Sequence, residues 1–284
     1  QMGMSTLASG TVVQERLEAA GVAKCSHTFT RTTFSGFLSG VFLGFGAILA
    51  ITVGKGNITS SGISKLLFGG LFPVGLMMII FTGTELFTGD CLVITPAMLK
   101  KKVTPKQIAK LAVAAYLGNF IGCVAAAYFF GHRSGIFDSE PYASAVVAIG
   151  VAKGDLSIEH MILRSIACNW LVCIAVFCVV ATSTVAGKVL VIWWIIGCFA
   201  MSGFEHSIAN MFFLALSYFH QETTELTLAA AAKNLFWVTF GNIIGGMFIC
   251  AFGYYYMYPT QAKSDNVMVL SVANDDSAVD VNEK

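Results

Sequence analysis

The stretch Phe81-Thr82-Gly83-Thr84-Glu85-Leu86-Phe87-Thr88-Gly89-Asp90 lies in an apolar segment, 65–100, where Glu85 is the only charged residue between Lys65 and Asp90. A matching phrase, Gly203-Phe204-Glu205-His206, lies in segment 188–222, where Glu205 is the only formally charged residue between Lys188 and Glu222. An ionisable side chain at membrane depth is costly, so it marks a functional site by default. Both segments also have awkward lengths. A spanning helix needs about 20 apolar residues; each segment is too long for one ordinary span and too short for two. Each is interrupted by a Gly-rich polar phrase, 82–89 and 202–206. The pattern predicts broken helices, two half-helices meeting at a non-helical loop, which membrane depth tolerates only where the loop is buried in protein or lines a cavity.

Working outward, the segments 32–54, 111–131, 165–187 and 234–259 read as uninterrupted spans. The third of these extends back toward Ser157, which places Arg164 on a protein-facing or interfacial side. Tyr254, Tyr255, Tyr256 and Tyr258 read as an aromatic belt closing the last span. The six elements fall into two halves of three. Gly118-Asn119-Phe120-Ile121-Gly122 resembles Gly241-Asn242-Ile243-Ile244-Gly245, so two pairs of matching phrases recur in the same order. An odd number of spans per half inserts the second half upside down, with the site near midplane where the broken helices meet. Chance likeness of Gly-rich helices is the competing reading, and two ordered matches weigh against it. The predicted fold is an all-α integral membrane protein: six transmembrane helices in two inverted three-helix repeats, second and fifth helices broken, aquaporin-like.

Composition agrees. Only 12% of the 284 residues are charged and the mean hydropathy is +0.74, against about 25% charged in soluble domains. A net charge of +1 carries no nucleic-acid footprint. The eight cysteines include no Cys-x-x-Cys pair and read as small buried hydrophobes, not as a disulfide or metal framework. No cofactor is expected. Lys100, Lys101, Lys102 and Lys106 crowd one short loop, and the N-terminal tail with Lys24 falls on the same side. The positive-inside rule then puts both termini in the cytoplasm of a plasma or inner membrane and the loop 132–156 outside. The chain divides into an N-terminal cytoplasmic segment, 1–31, with a short amphipathic helix over 11–24 at the membrane surface; a channel domain, 32–260; and a disordered tail, 261–284. The triplet Asn57-Ile58-Thr59 is a glycosylation signal too close to the membrane for use.

The residues 81–89 resemble the first signature of the formate/nitrite transporter family. Cys168-Asn169-Trp170-Leu171-Val172-Cys173-Ile174-Ala175 resembles its second, and Gly203-Phe204-Glu205-His206-Ser207-Ile208-Ala209-Asn210 its histidine motif. The three occur in the family's order, and the resemblance covers roughly residues 10 to 258. Ser165 and Ile174 vary the second signature, and Asp90 stands where Asn, Ser or Thr is usual. The resemblance implies a homopentamer of six-span protomers, each with a pore for a small monovalent anion or its conjugate acid. It assigns His206 to the pore centre, Thr88 to the facing broken loop and Asn169 to their hydrogen-bond network. It also implies that Phe72, Leu76, Leu86 and Phe199 form two apolar constrictions around His206 and that Lys153 stands near the outer entrance.

The residues themselves bear on these roles. His206 is the one histidine deep in an apolar segment; His27, His132, His160 and His220 sit at edges. A neutral imidazole can donate to a passing oxyanion or exchange a proton with it; the bland alternative is a packing histidine. Ionised Glu85 and Glu205 lining an anion pore would repel the solute. They read instead as loop supports, together with Asn210, accepting from exposed backbone N–H groups of the following half-helix. Thr88 offers a hydroxyl at the first break, although a helical threonine often bonds its own backbone. Lys153 precedes Asn169 by a helical rise of about 24 Å, so the two cannot touch one solute. Lys153 then draws anions into a vestibule, unless it merely pairs with Asp155. The expected function is a transmembrane channel or transporter for formate or a similar monocarboxylate, proton-linked through His206. Nitrite or hydrosulfide are alternatives within the class. A neutral-solute channel of aquaglyceroporin type would want an Asn-Pro-Ala triplet in each half, and the nearest phrase is Thr95-Pro96-Ala97. An intramembrane enzyme would want a nucleophile–base set or a metal cluster; His206 has no second deep histidine, and there is no His-Glu-x-x-His.

Overall fold

A hydroxyl opens most of the helices. Ser9, Thr28, Ser60, Thr104, Ser157, Thr184 and Thr227 each accept the backbone N–H three residues on, which satisfies one of the donors a helix start leaves free. The computed structural model describes residues 7–56 and 58–259. The predicted tail 261–284 and Asn57 lie outside the described residues. The elements are α1 (Gly10–Ser26), α2 (Phe29–Gly54), α3 (Ser61–Leu71), α4 (Val74–Thr82), α5 (Phe87–Val93), α6 (Thr95–Leu99), α7 (Pro105–Ala125), α8 (Tyr142–Gly154), α9 (Ile158–Ala181), α10 (Val185–Ser202), α11 (Ser207–His220), α12 (Leu228–Ile243) and α13 (Phe252–Met257). Two π-helical stretches, Ala126–His132 and Ile244–Ala251, prolong α7 and α12. Among the described residues six helical runs are long and apolar enough to cross a membrane: Phe29–Gly54, Ser61–Thr82, Pro105–His132, Ile158–Ala181, Val185–Ser202 and Leu228–Met257.

The second and fifth spans break after Thr82 and Ser202. Both helices stop on a glycine in the left-handed region, Gly83 at φ 69° and Gly203 at φ 74°. That backbone costs other residues a steric penalty and costs glycine none. Several boundaries differ from expectation. Pro73, which has no N–H to give, interrupts the second span once more between α3 and α4. Lys106 belongs to the first turn of α7, because Thr104 and Gln107 cap that helix reciprocally. The segment 132–156 is no plain loop: it contains α8, which packs on α11. The fourth span ends at Ala181 and not near 187. Helix α1 does not lie free on a surface. It packs on α6, α9 and α5 through Val13 and Leu17, and its Glu18 carboxylate pairs with Lys100 and Lys102.

The paired phrases around Asn119 and Asn242 set the two tightest crossings. Helix α2 meets α7 so closely that a Cβ on Gly122 would stand 2.0 Å from the Phe37 carbonyl oxygen, and one on Gly118 2.2 Å from that of Thr33. Helix α9 meets α12 likewise: a Cβ on Gly245 would stand 2.0 Å from the Ile166 carbonyl oxygen. Small residues four apart let membrane helices approach to backbone contact.

Two outcomes follow. Gly122→Ala and Gly245→Ala should each cost about 1–3 kcal/mol or more through overpacking, read as a lowered melting midpoint of the detergent-solubilised protein; an unchanged midpoint would contradict these crossings. The α1 contact should be acid-sensitive. Burial raises the Glu18 pKa, but Lys100 and Lys102 outweigh it and hold the carboxyl below its ordinary value. The stabilisation is therefore present above the ordinary glutamate pKa and lost as pH falls through the lowered folded value. Proteolytic nicking within α1 should rise below about pH 4 and, in Glu18→Gln, at neutral pH.

Candidate functional site

A helix broken inside an apolar slab leaves N–H and C=O groups that no water reaches, each costing several kcal/mol if unpaired. The structure answers with one buried carboxamide per break. Asn119 Oδ1 accepts the Phe87 N–H at 3.0 Å, and its Nδ2 donates to the Gly36 and Glu85 carbonyls, both at 2.9 Å. Asn242 Oδ1 accepts the Ser207 N–H at 2.8 Å, and its Nδ2 donates to the Ser165 and Glu205 carbonyls at 2.8 and 3.0 Å. The parallel extends further. The Glu85 N–H donates to Ser35 Oγ and the Glu205 N–H to the Arg164 carbonyl; the Thr84 and Phe204 N–H groups close the preceding turns on Ile79 and Phe199.

The carboxylates of Glu85 and Glu205, expected to accept from the following half-helix, have other partners; each asparagine takes the first N–H of that half-helix. Glu205 accepts from Lys153 Nζ at 3.0 and 3.1 Å and from Asn210 Nδ2 at 2.6 Å. Asn210 donates also to Asn234 Oδ1, and Asn234 Nδ2 to the Lys153 carbonyl. Glu85 is held by the Lys24 ammonium, which also reaches Asp90 Oδ1 at 2.9 Å. Burial opposes the Lys24 charge, but Asp90 and Glu85 outweigh it and raise the lysine above its usual range. Lys153 therefore pairs with Glu205 and not with Asp155.

His206 sits 4% exposed at the start of α11. Its Nδ1 accepts the Ala209 N–H at 3.1 Å, and its Nε2 lies 2.8 Å from Thr88 Oγ1. A backbone N–H can only donate, so Nδ1 carries no proton, and the geometry assigns the proton to Nε2, donating to Thr88. Thr88 also gives its carbonyl to Asn169 Nδ2 at 3.2 Å, and the same Nδ2 donates to the Asn242 carbonyl at 2.8 Å. The structure thus joins His206, Thr88, Asn169 and Asn242 into one chain of bonds.

Three spaces flank this chain. A cavity of about 280 Å³ is lined by Lys55, Lys65, Lys153, Arg164, Glu205, Phe72, Phe199 and His206, among others. A void of only about 10 Å³ follows, among Leu43, Phe72, Leu76, Leu86, Val172, Ile196, Phe199 and His206. A second cavity, about 170 Å³, is lined by Leu76, Leu86, Lys24 and Asp90 with their neighbours. Phe72, Phe199 and His206 thus separate the first cavity from the void, and Leu76 and Leu86 separate the void from the second. The rings of Phe72 and Phe199 meet edge to face at 5.9 Å, and Phe199 stacks on His206 at 5.9 Å. Thr88 and Asn169 line none of these spaces; they stand behind His206. In the larger cavity, burial, with Lys65 adding to it, pushes the Lys55 pKa below the usual lysine range. Among the described residues no group of three or more His, Cys, Asp or Glu side chains is placed to hold a metal ion.

Sequence reasoning missed Lys24, the lysines 55 and 65, and the capping role of Asn119 and Asn242. The last had a signal: an asparagine within an apolar Gly-Asn-x-Ile-Gly phrase is itself a buried polar group that needs partners.

The family profile described as formate/nitrite transporter matches residues 11–256. The formate channel BtFdhC of Bacillus thuringiensis is 35% identical over 251 residues, covering 88% of this chain and 95% of that protein. Among solved structures, an FNT family ion channel superposes with a TM-score of 0.82 at 30% identity, covering 88% of this chain and all of that one. A pentameric formate channel with formate bound gives a TM-score of 0.71 at 25% identity, covering 81% and 97%.

Removing either cap should unfold its loop. Asn119→Ala or Asn242→Ala orphans one N–H and two carbonyls, at about 1–3 kcal/mol for each group. Asn→Asp keeps the acceptor but loses both donated bonds, so it should not rescue. Thermal unfolding of the solubilised protein tests this, and stability within about 0.5 kcal/mol of wild type would show that the caps are dispensable.

Proposed function

Because the chain belongs to the formate/nitrite transporter family, whose members are channels and transporters, we propose that it carries formate, or another small monovalent anion of that class, across a cell membrane. In this reading the protein is a homopentamer of six-span protomers with inverted halves and cytoplasmic termini. Residues 32–260 form the channel domain between two cytoplasmic segments, and the anion crosses linked to a proton. One observation carries the reading: three spaces lie in a row, the first and the void sharing Phe72, Phe199 and His206, and the void and the second cavity sharing Leu76 and Leu86.

The larger cavity receives the solute. Lys55, Lys65, Lys153 and Arg164 face it, with Glu205 the one carboxylate among its lining residues, so its field draws anions in. Beyond it the void, about 10 Å³, is at the lower limit of the roughly 10–15 Å³ that a single water needs, so Phe72 and Phe199 must swing for a solute to pass. A bare anion would shed its water there at a cost of many kcal/mol. A weak acid that has taken up a proton crosses as a neutral molecule. At the constriction His206 is the polar group available to it. As Phe199 moves, Nε2–H exchanges Thr88 for a solute oxygen, while Nδ1 keeps the Ala209 cap. Leu76 and Leu86 then release the solute into the second cavity. Glu85, Glu205 and Asn210 serve as loop supports, and Asn169 fixes Thr88. Nitrite, also named by the family, has the same charge and the same basic chemistry.

Formate uptake into proteoliposomes tests this. His206→Phe, which removes both the donor and the cap, should cut uptake by about tenfold or more; full retained uptake would sink the role of His206. His206→Asn can still cap α11 and donate, but cannot hold an extra proton. It should keep pH-dependent uptake if His206 acts as donor, and lose proton coupling alone if the imidazole itself carries the proton.

A further inference from the structure

Each break carries an acid, a lysine from the preceding short helix, and a third residue five positions after the acid. In the second half these are Glu205, Lys153 and Asn210; the asparagine donates to the acid and the charges cancel. In the first half they are Glu85, Lys24 and Asp90, and Asp90 replaces the neutral donor with a second acid. Both carboxylates bind the same ammonium nitrogen, so they lie within two hydrogen-bond lengths of each other. With both ionised, the cluster holds one uncompensated negative charge. Asp90 is 4% exposed, and its Oδ2 is buried without a hydrogen-bond partner. A buried, half-bonded carboxylate is an expensive state. A proton on Oδ2 removes the excess charge and restores a donor where the other half has Asn210.

The other titratable groups around the cluster do not relieve it. His27 Nδ1 is 3.7 Å from Glu85 Oε1, but burial, with Arg31, Lys24 and Lys110 adding to it, holds that imidazole below its ordinary pKa, so it brings no charge at neutral pH. Lys110 of α7 spends its ammonium on the carbonyls of Cys25 and His27. Cys25 on α1, Cys91 on α5 and, behind it, Cys173 on α9 and Cys250 on the π-helical stretch are thiols and add no positive charge. The cluster also has a solute-facing side, because Asp90 and Lys24 line the cavity that Leu76 and Leu86 close off from the central void.

We propose that Asp90 is a proton-exchange site for the permeating weak acid on the Lys24 side of the constriction. A neutral acid leaving Leu86 meets the Asp90 carboxylate after that group has released its own proton to water on that side: the solute O–H bond breaks, the Asp90 O–H bond forms, and the solute departs as the anion. The proton then passes to water on that side. In the reverse direction the same carboxyl protonates an entering anion. This rests on the proton-linked reading above.

The test uses membrane vesicles of uniform orientation, inside-out and right-side-out, with formate flux followed as the pH of one compartment is varied between about 5 and 8. Wild type should respond to pH on the Lys24 side by up to about tenfold per unit, the limit for one proton. Asp90→Asn, which rebuilds the Asn210 arrangement, should reduce that response to about twofold or less across the range. An Asp90→Asn response equal to wild type overturns the assignment and leaves the proton-linked reading standing. Wild-type flux insensitive to pH on both sides overturns that reading and this one with it. Should Asp90→Asn fail to assemble, Asp90→Glu decides: a shifted midpoint of the profile supports the site, and an unmoved midpoint overturns it.

Discussion

The architecture hangs on two carboxamides. Non-helical backbone at membrane depth needs partners. Asn119 and Asn242 each bind three main-chain groups across the break and the neighbouring span. They reach those groups only because glycines on the same turns bring α7 against α2 and α12 against α9 to backbone contact. The short phrase Gly-Asn-x-Ile-Gly is therefore a single device, with glycines for approach and asparagine for satisfaction. The left-handed Gly83 and Gly203 turn the chain so that this device can reach it.

With the main chain satisfied by neutral groups, the acids are released for another task. Glu85 and Glu205 anchor the two short helices, α1 and α8, that precede each half. Each carboxylate draws a lysine from outside the broken span to the margin of a cavity. The structural pair and the electrostatic lining are thus one feature: the cation that steadies the loop also lines the cavity. His206 combines duties in the same way, as cap of α11 and as the polar group at the narrowest point.

Much of this was legible beforehand. Segment lengths and the Gly-Thr-Glu and Gly-Phe-Glu phrases were enough to place both breaks, since no ordinary span fits 65–100 or 188–222. The two Gly-Asn phrases marked equivalent spans, although they were read as a sign of repetition and not as caps. What stayed hidden depends on tertiary approach. Lys24 lies some sixty residues from Glu85 in a segment that read as a surface helix, and α8 lay in what read as a loop, because short helices with little amphipathic contrast give a weak periodic signal. The constriction residues rest on their flanking of the breaks and on family resemblance, since nothing local distinguishes a phenylalanine that lines a narrow void from one that only packs.

The two halves are not the same length. Between equivalent hydrogen-bonding points, 43 residues separate Gly36 from Ile79 but 34 separate Ser165 from Phe199. The longer stretch contains the connection after α2 and the kinked α3–α4 pair, and it carries Lys55 and Lys65 into the larger cavity. One narrow barrier therefore stands between a strongly cationic chamber and one whose lysine faces two acids. The two chambers therefore differ in charge, and the extra turns of the first half set which of them is the more cationic.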